Sequence, residues 1–207
     1  MSIKFAFVAA CFVIAALSYF RRCNTKNWAW LTAGLLFTVT ADYFLVLHNN
    51  HLPGVAVFCF AHVCYIFRGL GDTKRGQRLG LFVLPFVALA VLAAFVSGAL
   101  LVLTAIYAGL FMVNIAVNIR FFRQKDAPVA TTPQALPKLN KALTLAGLVL
   151  FALCDVNVML FNLPRELGIG VTFPFAFTLI WVFYLPSQLL LAVSGIMFSS
   201  DVQQSQP

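Results

Sequence analysis

Six side chains in this sequence combine the types and spacing that acid–base chemistry needs: Asp42, Asp155, His62, Tyr65, Tyr184 and Gln188. Of six acidic residues, Asp72, Asp126, Glu166 and Asp201 fall in polar stretches, which leaves Asp42 and Asp155 inside long apolar runs. An ionised carboxylate facing lipid costs about 3 kcal/mol at the centre of a membrane helix, so each is expected to face a bundle interior. Two carboxyls held together there can share the work of donating a proton and activating water.

The elements that must position them follow from composition. The 207 residues are 62% apolar and only 10% charged, with a net charge of +8 and a mean hydropathy of +0.94. Soluble domains average about 25% charged residues, so a soluble domain, a coiled coil and a disordered chain are all excluded. A closed β-barrel needs alternation, which is absent. Apolar runs separated by turn or charge clusters predict an all-α, polytopic integral membrane bundle with seven spans near 3–20, 28–48, 54–70, 80–97, 99–120, 141–162 and 171–198. The fourth and fifth are parted only by Ser97 and Gly98; one helix through both would overshoot the bilayer. Residues 1–198 read as one transmembrane domain, with a Pro-containing connector near 121–140 and a disordered polar tail, 199–207. The first span follows Lys4 as a signal peptide would, but no small-residue cleavage site precedes Arg21, so it is read as a retained helix.

Charge sorting orients the bundle. Arg21, Arg22, Lys26, Arg68, Lys74, Arg75, Arg78, Arg120, Arg123, Lys125, Lys138 and Lys141 follow spans one, three and five, whereas only Lys4 and Arg165 lie on the other side. The positive-inside rule then places the N-terminus outside and the C-terminus in the cytoplasm. Basic residues spread over short loops make no face for nucleic acid. The five cysteines are odd in number and mostly sit in apolar runs, as small buried side chains rather than a disulfide or zinc framework.

Spans 28–48 and 141–162 run the same way, with Asp42 and Asp155 six and seven residues before their ends. At about 1.5 Å per residue both carboxyls lie roughly 10 Å below one boundary. His62 enters from that same side to a depth of about 12 Å, with Tyr65 a turn further on its face, and Tyr184 and Gln188 form an i, i+4 pair about 15–21 Å down the last span. Polar stripes at helical spacing support an interior cavity: Thr38, Asp42 and Asn49; Thr144, Asp155 and Asn162; Tyr107, Asn114 and Asn118. Structural readings stand beside these: an Asp hydrogen-bonded for packing, a satisfied core His62, and asparagines as interhelical glue. His48 and His51 permit a metal by spacing but suit a solvated loop better.

Several chemistries lack their parts. No Lys follows Lys141 to form a retinal Schiff base, and no Gly-x-Ser-x-Gly elbow, His-Glu-x-x-His helix or phosphate-binding loop occurs. Zinc hydrolases of the alkaline-ceramidase kind use several membrane histidines, and only His62 lies within a span. Two-carboxylate acid–base chemistry remains, with no cofactor and no metal assigned.

Four segments carry a family resemblance. Thr40-Ala41-Asp42-Tyr43-Phe44-Leu45 resembles a Gly-Asp-x-x-Leu segment, and Ala61-His62-Val63-Cys64-Tyr65 an Ala-His-x-x-Tyr motif. Phe151-Ala152-Leu153-Cys154-Asp155 resembles Leu-Phe-x-x-Ser-Asp, and Tyr184-Leu185-Pro186-Ser187-Gln188-Leu189-Leu190 a closing Tyr-x-x-Ala-Gln-x-Leu-Ile. In that order, in four separate spans, they are similar to the YhhN/TMEM86 membrane proteins, whose characterised members are lysoplasmalogenases. Ala41 and Cys154 stand where the family has Gly and Ser, and its early Lys-Pro-Leu is missing. Members commonly have eight helices, which suggests that the first is absent here. The resemblance implies hydrolysis of the vinyl ether of a lysophospholipid, with Asp42 and Asp155 sharing the acid and base roles in either order. His62 and Tyr65 would orient a carboxylate or water, and Tyr184, Gln188, Asn114, Asn49 and Asn162 would line the cavity. The membrane would be the bacterial inner membrane or a eukaryotic endomembrane. The competing expectation is a transporter of protons or small solutes, because spans one to three and five to seven have matching directions and Asp42…Asn49 parallels Asp155…Asn162.

Overall fold

The computed structural model describes residues 3–22, 24–71, 100–123, 137–166 and 173–196. Among them, six helices are long and apolar enough to cross a membrane. They are α1 (Ile3–Leu17, continued by a 3-10 turn Ser18–Arg21), α2 (Thr25–Asp42, continued by a π-turn Tyr43–Leu47) and α3 (His51–Leu70). After an interval come α4 (Leu100–Arg123), α5 (Lys138–Glu166) and α6 (Pro174–Val193). The span expected near 80–97, Cys23 and the tail 199–207 lie outside the described residues. The expected connector 121–140 is trimmed at both ends, since α4 runs on to Arg123 and α5 opens at Lys138. The last helix ends at Val193 rather than 198, capped by the backbone N–H of Ser194 on Leu190 and Leu191.

Local chemistry sets the ends. Asn24 caps α2 by accepting from the backbone N–H groups of Lys26 and Asn27. Asn49 turns the chain between α2 and α3 at φ 52°, a left-handed conformation that Asn tolerates better than most residues. Gly71, at φ 59°, follows α3 where a side chain would be strained. Pro174 opens α6 at a position where its missing N–H is no loss.

The helices form a ring in chain order: each packs on the next, and α6 returns to α1. The tight pairs are α2–α3 and α5–α6. Both depend on a glycine. A Cβ on Gly34 would lie 2.6 Å from the Tyr65 ring, and one on Gly147 would lie 2.9 Å from Leu191 Cγ and 3.1 Å from the Ser187 carbonyl. Around these contacts α2 and α5 repeat one another at a constant interval: Asn27 and Asn140, Ala33-Gly34-Leu35 and Ala146-Gly147-Leu148, Asp42 and Asp155, Asn49 and Asn162. Among the described residues α2 and α5 thus occupy corresponding places in two sets of three helices, α1–α3 and α4–α6, the two halves of the ring.

Its interior holds Leu31, Leu35, Phe58, Tyr65, Phe111, Leu148, Phe151 and Leu191, while Val13, Leu17, Val102, Met112, Met159, Phe175 and Val182 are exposed outside. Apolar side chains on the outer face of apolar helices suit a bilayer as solvent. Cys11, Cys59, Cys64 and Cys154 are free and buried, as expected of small core side chains. At the basic end, Arg68 departs from its expected loop. It lies in the last turn of α3, 4% exposed, and its guanidinium donates to Asn27 Oδ1, Ser194 Oγ and the Ser194 carbonyl. Asn140 donates to the same carbonyl, so four helices meet there. Lys141, also expected in a loop, is buried within α5.

Candidate active site

Asp42 is the last regular residue of α2 and is 3% exposed. Its Oδ2 accepts a 2.7 Å hydrogen bond from Tyr184 Oη of α6. The backbone widens into a π-turn immediately after it, a distortion that tends to occur at functional sites. Pro186, inside α6, removes a backbone donor close to Tyr184. Asp155, on α5, is only partly buried. Its Oδ2 accepts a 2.6 Å hydrogen bond from Tyr107 Oη of α4. Each carboxyl is therefore held by a tyrosine.

Aromatic rings span the space between the two pairs. Phe151 sits one turn before Asp155, with its centroid 5.6 Å from Tyr184 and 5.5 Å from His62. His62 lies 4.9 Å from Tyr107 and stacks on Phe111 at 4.5 Å and 24°. Phe58 touches both Tyr107 and Phe151. One packed cluster thus links Asp42, Tyr184, Phe151, His62, Tyr107 and Asp155.

His62 is fully buried, and its Nδ1 is 3.1 Å from Asn114 Nδ2. The expectation is that His62 orients a carboxylate or water; among the described residues its hydrogen-bond partner is an amide on α4. Tyr65 is likewise directed at Thr38, one turn before Asp42, with Oη 3.5 Å from Thr38 Oγ1. Gln188 is buried, donates to Ser187 Oγ at 3.2 Å, and has an Oε1 without a partner among the described residues. Asn114 joins the cluster through His62.

Asn49 and Asn162 do not join it. The π-turn breaks the helical register between Asp42 and Asn49, which ends up exposed in the left-handed turn. Asn162 keeps its register but lies about 10 Å beyond Asp155 along α5, donating to the Val158 carbonyl. Tyr107, seen in the sequence only as part of a polar stripe, proves to be the partner of Asp155. Its signal was the stripe it shares with Asn114 and Asn118. Asn27 and Asn140, each fifteen residues before an Asp, both prove to bond at the Arg68 junction, and their matched spacing is the sequence signal that was missed. Among the described residues no three His, Cys, Asp or Glu side chains are grouped as a metal would need.

The fold and this site define a polytopic α-helical membrane protein with two carboxyls inside the bundle. The YhhN family profile matches residues 2–195, and the chain belongs to the YhhN family. No curated protein and no solved structure matches it.

Proposed function

We propose that this protein is a membrane hydrolase that cleaves the vinyl ether of lysoplasmalogens, releasing a fatty aldehyde and a glycerophospho-base. The observation that carries this reading is the pair of tyrosine-held carboxyls, Asp42 and Asp155, joined by one aromatic cluster. Family membership agrees with it. Vinyl ether hydrolysis begins with transfer of a proton to the alkene carbon, which leaves an oxocarbenium ion. Water then adds, and the resulting hemiacetal breaks to aldehyde and alcohol. One aspartate donates the proton; the other, ionised, stabilises the cation and takes a proton from water. Tyr184 and Tyr107 hold the two carboxyls in place. The apolar rings of Phe58, Phe111 and Phe151, which lie between the two carboxyl–tyrosine pairs, suit contact with a single hydrocarbon chain. The bundle has seven spans with its N-terminus outside and its basic end in the cytoplasm, and the substrate enters between helices from the outer leaflet.

The test is aldehyde release from lysoplasmenyl-ethanolamine and -choline by purified protein in detergent. Release that disappears in both Asp42→Asn and Asp155→Asn, in variants that remain folded, supports the reading. The residues matched between α2 and α5 give the transporter alternative its one observation. Solute or proton flux in proteoliposomes, without aldehyde from any lysolipid, decides for it.

A further inference from the structure

A chain of hydrogen bonds along α4 determines which ring nitrogen of His62 carries the proton. It starts at the backbone carbonyl of Asn114, which can only accept. The side-chain atom facing it, 2.9 Å away, is Nδ2 of Asn118, which must donate. The same Nδ2 is 2.8 Å from Asn114 Oδ1, so the Asn114 amide presents its oxygen to Asn118. Its other end, Nδ2, therefore faces His62 Nδ1 at 3.1 Å. An amide N–H pointed at Nδ1 requires that nitrogen to be the acceptor, and the ring proton then sits on Nε2. Nε2 is buried and has no partner among the described residues. The ring cannot turn to find one, because Phe111 stacks on it while Tyr107 and Phe151 crowd it.

We infer that the Asn118–Asn114 pair locks His62 as an Nε2–H donor, and that this donor binds an oxygen of the ligand at the glycerol end of an ether lysolipid. The ligand class rests on the proposed function, whereas the tautomer does not. The Tyr107 ring lies 4.9 Å from the His62 ring and its hydroxyl holds Asp155, so a single aromatic ring separates His62 from one of the two carboxyls. His62 would then contact the substrate directly, and Asn114 and Asn118 would be positioning residues. In this state Nε2 is neither a base nor a metal ligand.

The protein has three histidines, so the double variant His48→Gln/His51→Gln, altered only at exposed positions, leaves His62 as the sole ring. Nitrogen NMR of this protein with isotope-labelled histidine, in lipid nanodiscs, should show a protonated Nε2 and a bare Nδ1. Adding a saturated alkyl-ether lysophosphatidylethanolamine, which has no vinyl group to hydrolyse, should move the Nε2 signal. Asn114→Asp, which turns the donor into an acceptor, should transfer the proton to Nδ1. His62→Phe should lower kcat/KM about tenfold, the worth of one hydrogen bond, with His62→Gln recovering part of it. A proton on Nδ1 in the unaltered site, or an Nε2 signal that saturating ether lipid leaves in place, overturns the inference. If the protein releases no aldehyde while the tautomer and the lipid-induced shift are both observed, the hydrolase reading fails and this one stands.

Discussion

The two halves of the ring carry matched residues at a few corresponding positions of α2 and α5, yet they treat their carboxyls differently. Asp42 is sealed, and its hydrogen bond comes from Tyr184 in the opposite half. Asp155 is partly open, and its hydrogen bond comes from Tyr107 in its own half. A repeated helix thus places two identical groups at matched positions, and the neighbouring helices make them unlike. Asp42 ties the halves together through Tyr184, whereas Asp155 keeps part of its surface exposed. Acid–base catalysis by two identical side chains needs such a difference in surroundings.

The largest effect expected from this comparison is on catalysis. Asp42→Asn and Asp155→Asn should each reduce aldehyde release by about a thousandfold, within the range for loss of a general acid or base. Full activity in either variant would mean that the halves are not a functional pair. Next in size is the junction at the basic end. Arg68→Met removes three hydrogen bonds that hold α2 and α6 to α3, and should cost about 2–3 kcal/mol of stability, measured as a fall in thermal midpoint in detergent. An unchanged midpoint would show that the two halves are held elsewhere.

Tyr184→Phe and Tyr107→Phe measure the asymmetry directly. Loss of the donor to a sealed carboxyl should cost about 1–2 kcal/mol, and loss at the partly open Asp155 less than about 1. Equal losses would erase the distinction drawn between the pairs. The smallest effect belongs to Asn162→Ala, which should change stability by no more than about 0.5 kcal/mol and leave aldehyde release within twofold, because among the described residues Asn162 bonds to its own helix. A large loss there would return Asn162 to the cavity.

Much of this site was legible before any fold was known, because carboxyls are so costly in a membrane that their presence limits where they can face. Asp42 and Asp155 were legible on that ground, and Tyr184 by its place on the last span. Their partners were not. Helical spacing ranks positions around one axis but says nothing about which neighbour a face meets, so Tyr107 stood out no more than Asn114 did. The same limit explains Asn49, whose register the π-turn changes, and His62, whose partner is an amide rather than a carboxyl. Arg68 and Lys141 were grouped with loop charges, yet their charged ends are buried inside helices. A long side chain can be drawn into a helix junction that only packing creates.

By itself the sequence determined the solvent, the all-helical class and the two carboxyls: a chain with 62% apolar residues must bury its backbone in helices, and its few charges are then informative. Tertiary structure decided everything that depends on contact between distant residues. It paired Asp42 with a tyrosine 142 residues away, closed the ring by returning α6 to α1, and left one aspartate sealed and the other partly buried. Hydropathy and periodicity are properties of single segments, whereas burial, tautomer and hydrogen-bond partner arise only when segments meet.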